Sequence, residues 1–474
     1  MKVRTRFAPS PTGLLHIGGV RTALFAYLFA KANGGEFILR LEDTDRERFV
    51  AEGVEQIIKS LDWLGIHPDE GVWYESEPKP GEVGPYIQSE RLPHYQKYAE
   101  TLVEKDLAYY SAITPEAFSA LREEAISAKR PFVYKQEMEP TEVNTNKNNL
   151  PIRLKVPEDT TSWKDEVRGE FTTNNNLIDD FVILKADGFP TYNFANVVDD
   201  HLMNISHVIR GDEFISTTAK HALLYDLLGF DRPKWIHLPS ILGPDGKKKL
   251  SKRDGDVDVL EYNAKGYLPE AMVNFLALLG WNDGTEQEIF SKKELIDTFN
   301  IQRIQKSPAR FDITRLDWMN GEYIRSLTVS ELSDKIQPYI PKEWYKDKEY
   351  FEKVLVLDKD RMKRLDEAKY IMEIFFETPH VDLPQLTKKD SAQDVKHWLE
   401  ETINVLRNNT FEHDDIEKAL RNLAEKLGIK TGQLFSALRI VLTGREQAPG
   451  LFDILVTLGR EESLKRIESI INII

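Results

Sequence analysis

A short strand, the loop Pro9-Ser10-Pro11-Thr12-Gly13, a helical stretch and a second strand follow one another within the first 43 residues, and this order restricts the fold more than any other feature of the chain. Val3 to Ala8 read as the first strand and Glu36 to Asp43 as the second. Between them Val20, Ala23, Leu24, Tyr27 and Leu28 recur at i, i+3, i+4, i+7 and i+8, the apolar stripe of a helix, and Asn33-Gly34-Gly35 stops it. Strand, helix and strand at this spacing form a βαβ unit, so the expected core is a parallel sheet covered by helices.

The same texture continues with helices near Val54 to Leu64 and Leu92 to Glu104, separated by a Pro/Gly-rich loop from Pro78 to Pro85. From Ala108 to about Pro190 it changes. Short strand-like pieces, Pro151 to Val156 and Phe181 to Lys185, flank an Asn-rich stretch from Asn144 to Asn149, which marks an insertion. Val208 to Arg210 then reads as a strand and Thr217 to Leu228 as a helix, with Ser216 as its N-cap and Gly229 as its stop. Trp235 to Leu242 should be the last strand. Past Gly243 the signals are almost wholly helical, as in Pro269 to Leu279, Ser330 to Gln337, Asp414 to Leu427 and Glu462 to Ile473.

A chain of 474 residues is too long for one core. Residues 1–107 and 190–243 are expected to form two halves of a Rossmann-type α/β domain, interrupted by an inserted α+β domain at 108–189. Residues 244–325 should be a helical domain carrying a basic loop, and 326–474 an all-α region.

Composition removes several chemistries. With no cysteine there is no disulfide, no thiolate nucleophile and no thiolate zinc site, and the ten histidines do not gather at metal-ligand spacing in the insertion. No structural metal is therefore expected. No run of about 18 uncharged apolar residues exists to span a bilayer, and the N-terminus lacks the continuous apolar stretch of a signal peptide, so a cytoplasmic chain is expected. A net charge of −15 opposes indiscriminate binding to nucleic acid but leaves room for a local basic face.

Two segments carry chemistry. The first loop enters its helix at His16-Ile17-Gly18-Gly19, where free backbone N–H groups and the helix dipole suit a phosphate, and an imidazole can donate to a phosphate oxygen. The second is Gly246-Lys247-Lys248-Lys249-Leu250-Ser251-Lys252-Arg253, a cationic loop just after the last expected strand. Taken singly, the first is an ordinary turn beside a solvated histidine and the second a solvated charge run. Together they would be a pair of phosphate-binding elements, expected on one sheet.

In combination they resemble the class I aminoacyl-tRNA synthetases, with His16-Ile17-Gly18-Gly19 in the place of the HIGH motif and Lys249-Leu250-Ser251-Lys252-Arg253 in that of KMSKS. The resemblance narrows to the glutamyl-tRNA synthetases through Arg6 to Gly13, Leu41-Glu42-Asp43-Thr44-Asp45-Arg46, Pro190 to His201 and Val208 to Glu213, with Leu442-Thr443-Gly444 and Pro449-Gly450-Leu451-Phe452 near the end. It runs over nearly the whole chain. Gly19 stands where the motif name has its second histidine, and the cysteine-rich zinc site that some relatives carry in the insertion has no counterpart.

The resemblance implies ATP-dependent activation of L-glutamate, Mg²⁺ as helper, transfer to tRNA(Glu), and action as a monomer. It makes the insertion an acceptor-binding domain, residues 244–325 a stem-contact domain and 326–474 an anticodon-binding region. Arg6, Ala8, Ser10, Glu42, Tyr192, Asn196 and Arg210 would bind glutamate, with Arg210 on the side-chain carboxylate and Glu42 on the α-ammonium. His16, Gly18, Gly19, Glu213, Lys249, Leu250, Ser251, Lys252 and Arg253 would bind ATP, with His16 and Lys252 catalytic. Without the resemblance, Arg6 and Arg210 would be strand-edge residues, Glu42 a member of an ion-pair network, Tyr192 a core aromatic and Asn196 a helix cap. The rival readings are a glutaminyl-tRNA synthetase, whose anticodon region is a β-barrel where this C-terminus reads as helices, and a small-molecule nucleotidyltransferase, which would have no use for those helices.

Overall fold

Thr5, Arg6 and Phe7 are all buried, so β1 (Arg4–Phe7) has both faces covered, as an inner strand of a parallel sheet does. The structure is a computed structural model and describes residues 2–11, 13, 15–45, 50–74, 83–140, 149–251 and 258–474. Its contacts divide the chain into two units, Met1–Ala264 with Pro269–Leu316, and Lys265–Leu268 with Asp317–Ile474.

In the first unit, α1 (Ile17–Ala32) is buried on every side. Beyond the expected stripe, Phe25, Ala26, Phe29 and Ala30 are also inaccessible, which makes it a central helix. Asn33 ends it and Gly34 follows with φ of 61°. β2 (Glu36–Leu39) runs parallel to β1, Arg4 opposite Glu36 and Phe7 opposite Leu39. It is shorter than the expected span to Asp43. Leu41 N donates to Tyr86 O and Glu42 N to Pro9 O, at 2.9 and 3.0 Å, so the chain turns out of the sheet and brings Glu42 beside the first loop. α2 (Ala51–Trp63) leads to β3 (Glu70–Gly71), parallel to β2, and α3 (Leu92–Glu104) follows.

The inserted stretch contributes β4 (Ala108–Tyr110), α4 (Pro115–Ser127), β5 (Ile152–Leu154), β6 (Thr160–Asp165), β7 (Gly169–Asn174) and β8 (Val182–Leu184). Residues 144–148 of the Asn-rich segment lie outside the described residues. α5 (Tyr192–Leu202), β9 (His207–Gly211), α6 (Ile215–Leu228) and β10 (Lys234–Leu238) then restore the α/β order. β9 and β10 are parallel, with Arg210 opposite His237. Ser206 donates its N–H to Arg4 O at 3.0 Å and accepts Arg4 N on its hydroxyl at 2.8 Å, which sets β9 beside β1. Whereas β4, β5 and β8 form their own antiparallel sheet, the β6–β7 hairpin joins the edge of β10, with Asp165 opposite Trp235.

Two expected boundaries differ. Ser216 does not cap α6: a 3-10 turn at Asp212–Phe214 leads straight into the helix, and the Thr217 and Thr218 hydroxyls donate to Phe214 O at 2.9 Å. The stretch from Trp235 to Leu242 is two strands. Pro239 interrupts it, and β11 (Ile241–Leu242) pairs with β12 (Ala309–Arg310) in a separate sheet, from which the basic loop leaves. α7 (Val259–Ala264), α8 (Pro269–Leu278) and α9 (Lys292–Thr298) complete the helical part of this unit.

Among its described residues the second unit is helical, with helices that include Val329–Ile336, His413–Lys426, Thr431–Thr443 and Leu451–Ile471. The last starts well before the expected Glu462 and kinks at Gly459, whose φ is 77°. No helix among the described residues is long and apolar enough to cross a membrane.

One glycine is set by close approach. Gly71 has φ of 131°, and a Cβ there would lie 2.2 Å from Leu39 O, inside the β2–β3 pairing. Gly71→Ala should cost about 1–3 kcal/mol in urea unfolding; an unchanged midpoint would show that β3 shifts freely.

Candidate active site

The carboxyl ends of β1, β2 and β9 converge on two adjoining cavities. The first, of about 210 Å³, is lined by Arg6, Ala8, Ser10, Glu42, Tyr192, Asn196 and Arg210, with Phe7, Thr22, Ile209 and Phe214 among the residues between them. It thus brings together every residue assigned to glutamate from sequence. The second, of about 270 Å³, shares Gly18, Gly19, Thr22, Gly211 and Glu213 with the first and adds His16, Arg21, Pro239, Ser240, Ile241, Lys249 and Leu250. Ser251 is described but does not line it, and Lys252 and Arg253 lie outside the described residues.

α5 supplies one polar face. Tyr192, Asn196 and Asp200 recur every fourth residue, one turn apart, so that a single helix side meets the cavity and the groups beneath it. Asn196 Nδ2 donates to Glu42 Oε1 at 2.7 Å, and Arg40 Nη2 donates to the same oxygen at 3.1 Å. Arg40 Nη1 reaches Asp200 Oδ1 at 2.8 Å, and Arg6 Nε meets both oxygens of Asp200 at 3.0 and 3.2 Å. Arg6, Asp200, Arg40 and Glu42 therefore form one buried network of alternating charge. Asp199 anchors its far side, accepting from Arg91 Nε at 2.7 Å, Tyr95 Oη at 2.8 Å and Gln88 Nε2 at 2.9 Å.

The electrostatics follow from burial and neighbours. Desolvation works to lower the Arg40 pKa, but Asp200, Asp199 and Glu42 together hold it above its ordinary value. Burial pushes the Asp200 carboxyl up, and Arg6 and Arg40 overcome this and keep it below the usual range. For Glu42 burial prevails, offset only in part by Arg40 and Arg6, so its pKa is raised.

Arg210 differs from the other two guanidiniums. Its hydrogen bonds go to His237 Nε2 at 3.1 Å, His221 Nδ1 at 3.3 Å and Thr218 Oγ1 at 2.7 Å, and none of these side chains is a carboxylate. The Phe214 ring lies 5.4 Å from it. Burial lowers its pKa, Tyr192 and the Asp200 charge oppose this, and the Arg6 cation adds to the lowering.

At the second cavity, His16 is the N-cap of α1 and its Nδ1 accepts Gly18 N at 3.0 Å, so in the neutral ring the proton sits on Nε2. A Cβ on Gly211 would fall 2.2 Å from the Glu213 carboxylate, which shows how closely that carboxylate folds against the strand end. Lys249 Nζ pairs with Glu213 Oε1 at 3.3 Å. Arg21, buried, donates to Leu279 O at 3.1 Å and to Pro239 O, and burial brings its pKa down to about 10.

Sequence reading missed Arg40, Asp200, His221 and His237. Arg40 carries a signal, a charge inside the apolar run Phe37-Ile38-Leu39-Arg40-Leu41, as does His237 within Trp235-Ile236-His237-Leu238. Asp200 has the i+4 spacing from Asn196. His221, in the middle of a helix, has none that distinguishes it from a core residue.

Comparison with known proteins places the chain among others. Residues 2–318 match the family described as tRNA synthetases class I (E and Q), catalytic domain, and residues 331–471 match an anticodon binding domain. The chain is 44% identical to a protein of Dehalococcoides mccartyi named glutamate–tRNA ligase, over 98% of this chain and 96% of that one. It is similar to the crystal structure of a glutamate tRNA ligase from Elizabethkingia meningosepticum in complex with its amino acid, at TM-score 0.90 and 35% identity over 100% of this chain and 99% of that one. The glutamate-tRNA synthetase of Elizabethkingia anophelis is similar at TM-score 0.88 and 36% identity, with both chains covered completely.

Removing Arg40 tests whether the network holds the site together. Arg40→Met leaves Glu42, Asp199 and Asp200 buried without their shared cation, and should cost about 3–5 kcal/mol in urea unfolding. A midpoint close to that of the parent protein would mean that the three carboxylates are neutralised without it.

Proposed function

The chain belongs to the glutamate–tRNA ligases, a family of class I tRNA synthetases, and on that premise we propose that it activates L-glutamate with ATP and transfers it to the 3′-terminal adenosine of tRNA(Glu). The observation that carries the site assignment is Arg210, a buried guanidinium at a strand end whose hydrogen-bond partners among the described residues are all uncharged. Such a group is completed by an anion, and the glutamate side chain brings one.

Arg210 receives the γ-carboxylate. Glu42 takes the α-ammonium: among the described residues both of its hydrogen bonds fall on Oε1, and a cation beside it would draw its raised pKa back down. Arg6, Ser10, Tyr192 and Asn196 fix the remaining orientation, with Ala8 leaving room at the loop. Glutamine, with a neutral amide, would leave the Arg210 charge buried and unmatched, so selection is made at binding and needs no editing site.

ATP occupies the second cavity, its phosphates near His16, Gly18 and Gly19 and near the loop of Lys249, Leu250, Ser251, Lys252 and Arg253. The α-carboxylate attacks the α-phosphorus, giving glutamyl adenylate and pyrophosphate, and the 2′-hydroxyl of the terminal ribose then attacks the adenylate carbonyl and releases AMP. The protein positions the reactants and stabilises spreading phosphate charge, His16 through its Nε2 proton and Lys252 through its ammonium. Mg²⁺ would accompany ATP as part of the substrate and would help to neutralise the phosphate charge. Residues 108–189 grip the acceptor end, 244–325 the stem and 326–474 the anticodon. The enzyme works as a cytoplasmic monomer.

Purified tRNA(Glu) and tRNA(Gln), each offered glutamate and glutamine, test the function: tRNA(Glu) should be charged with glutamate, and charging with glutamine in its place would overturn the proposal. Arg210→Ala tests the site. Losing one side of a buried charge pair costs about 3–5 kcal/mol, so glutamate kcat/KM in ATP–pyrophosphate exchange with tRNA present should fall by roughly two to four powers of ten, with the KM for ATP nearly constant. Near-normal glutamate activation, or equal loss of both substrates, would remove the assignment.

A further inference from the structure

Arg210 is held on three sides by side chains that the reaction scheme leaves unused. A guanidinium has five N–H bonds and accepts nothing, so each ring nitrogen that faces it must offer a lone pair. His237 Nε2 and His221 Nδ1 are those nitrogens. In each neutral ring the proton then sits on the other nitrogen, and each has an acceptor: His237 Nδ1 faces Asp165 Oδ2 at 2.8 Å, and His221 Nε2 faces Asn193 Oδ1 at 3.0 Å. Thr218 donates its hydroxyl proton to Phe214 O at 2.9 Å, and so is also an acceptor toward Arg210. Asp165 is fixed in turn by the backbone N–H groups of Val167, Arg168 and His237.

These three bonds engage Nε, Nη1 and Nη2 once each, which leaves a second N–H on each terminal nitrogen to be met by the Tyr192 hydroxyl and by a carboxylate in the cavity. Arg6, by contrast, is paired with a carboxylate, meeting Asp200 through Nε and Asn196 Oδ1 through Nη2, and Arg40 meets Asp200 through Nη1 and Glu42 through Nη2.

We propose that His221 and His237 are positioning residues that set the preference for glutamate: as neutral acceptors in opposite tautomers they aim the Arg210 fork into the cavity without neutralising its charge. The inference rests on Arg210 as receptor of the γ-carboxylate. It extends that reading to a second layer of side chains and to the β6–β7 hairpin, which supplies Asp165.

Burial disfavours the imidazolium in both rings, as does the Arg210 cation. The other charged and titratable groups that bear on the pair are Arg6 and His237 on His221, and Asp165 and Arg168 on His237, with the Tyr192 ring 5.8 Å from His221. Of these only Asp165 favours a proton on His237. A proton on either ring would turn an acceptor into a donor aimed at a guanidinium.

Nitrogen-15 NMR of the histidine rings in the full-length protein near neutral pH reads the tautomers directly. His237 should carry its proton on Nδ1 and His221 on Nε2, and an imidazolium or the opposite tautomer at either position would overturn the inference. In parallel, His221→Leu and His237→Leu should each raise the KM for glutamate about 10- to 100-fold, leave the KM for ATP within about twofold and narrow the preference for glutamate over glutamine. His221→Asn and His237→Gln, which keep an acceptor oxygen near the lost nitrogen, should recover most of the glutamate affinity. An unchanged glutamate KM and unchanged preference in the leucine variants would overturn the inference. Arg210→Ala run alongside separates the two claims: normal glutamate activation there removes the reading of Arg210, whereas its collapse beside unaffected histidine variants removes only this one.

Discussion

A guanidinium buried without a hydrogen-bonded carboxylate is costly, and the first cavity is organised around one that has none among the described residues. Arg210 ends β9, and its position depends on nearly every part of the first unit. β10 brings His237 opposite it, the turn into α6 brings Thr218 and His221 beneath it, and the hairpin from the inserted stretch reaches back across β10 to hold His237 through Asp165. All of these partners are uncharged except the last, which acts at one remove. Among the described residues the fold thus holds this guanidinium by hydrogen bonds to uncharged side chains, beside the Phe214 ring and with the Asp200 charge acting from farther off.

The other charged groups show the contrasting arrangement. Arg6, Asp200, Arg40 and Glu42 satisfy one another before any ligand arrives, and Asp199 ties them to Arg91, Tyr95 and Gln88. Such a network gives rigidity and geometry, since low dielectric makes each broken contact expensive. Its position follows from two local features. The chain leaves the sheet after β2 and turns Glu42 toward the first loop, while α5 presents polar residues at intervals of one turn. The two cavities share the glycines at the start of α1 and at the end of β9, where backbone without a side chain lets two ligands lie close together.

Much of this was legible in the chain. The βαβ opening follows from the 3.6-residue period of α1 and its Asn-Gly-Gly stop, and Leu92–Glu104 begins and ends where the pattern places it. The seven residues assigned to glutamate line one cavity. Other features were hidden for definite reasons. Pro239 divides a run of apolar residues that periodicity alone reads as one strand, and the 3-10 turn before α6 displaces a cap that Ser216 would otherwise supply. The pairing of Asp165 with β10 is a long-range contact that no local period encodes. His221 and His237 acquire meaning only through what faces them, and three-dimensional proximity to Arg210 is not written in spacing.

A crystal structure of the protein with bound L-glutamate tests the account most directly. The γ-carboxylate oxygens should lie about 2.7–2.9 Å from Nη1 and Nη2 of Arg210, one oxygen to each, with the bonds to His221, His237 and Thr218 retained. A γ-carboxylate bound to Arg6, or an Arg210 fork occupied by the α-carboxylate, would contradict it.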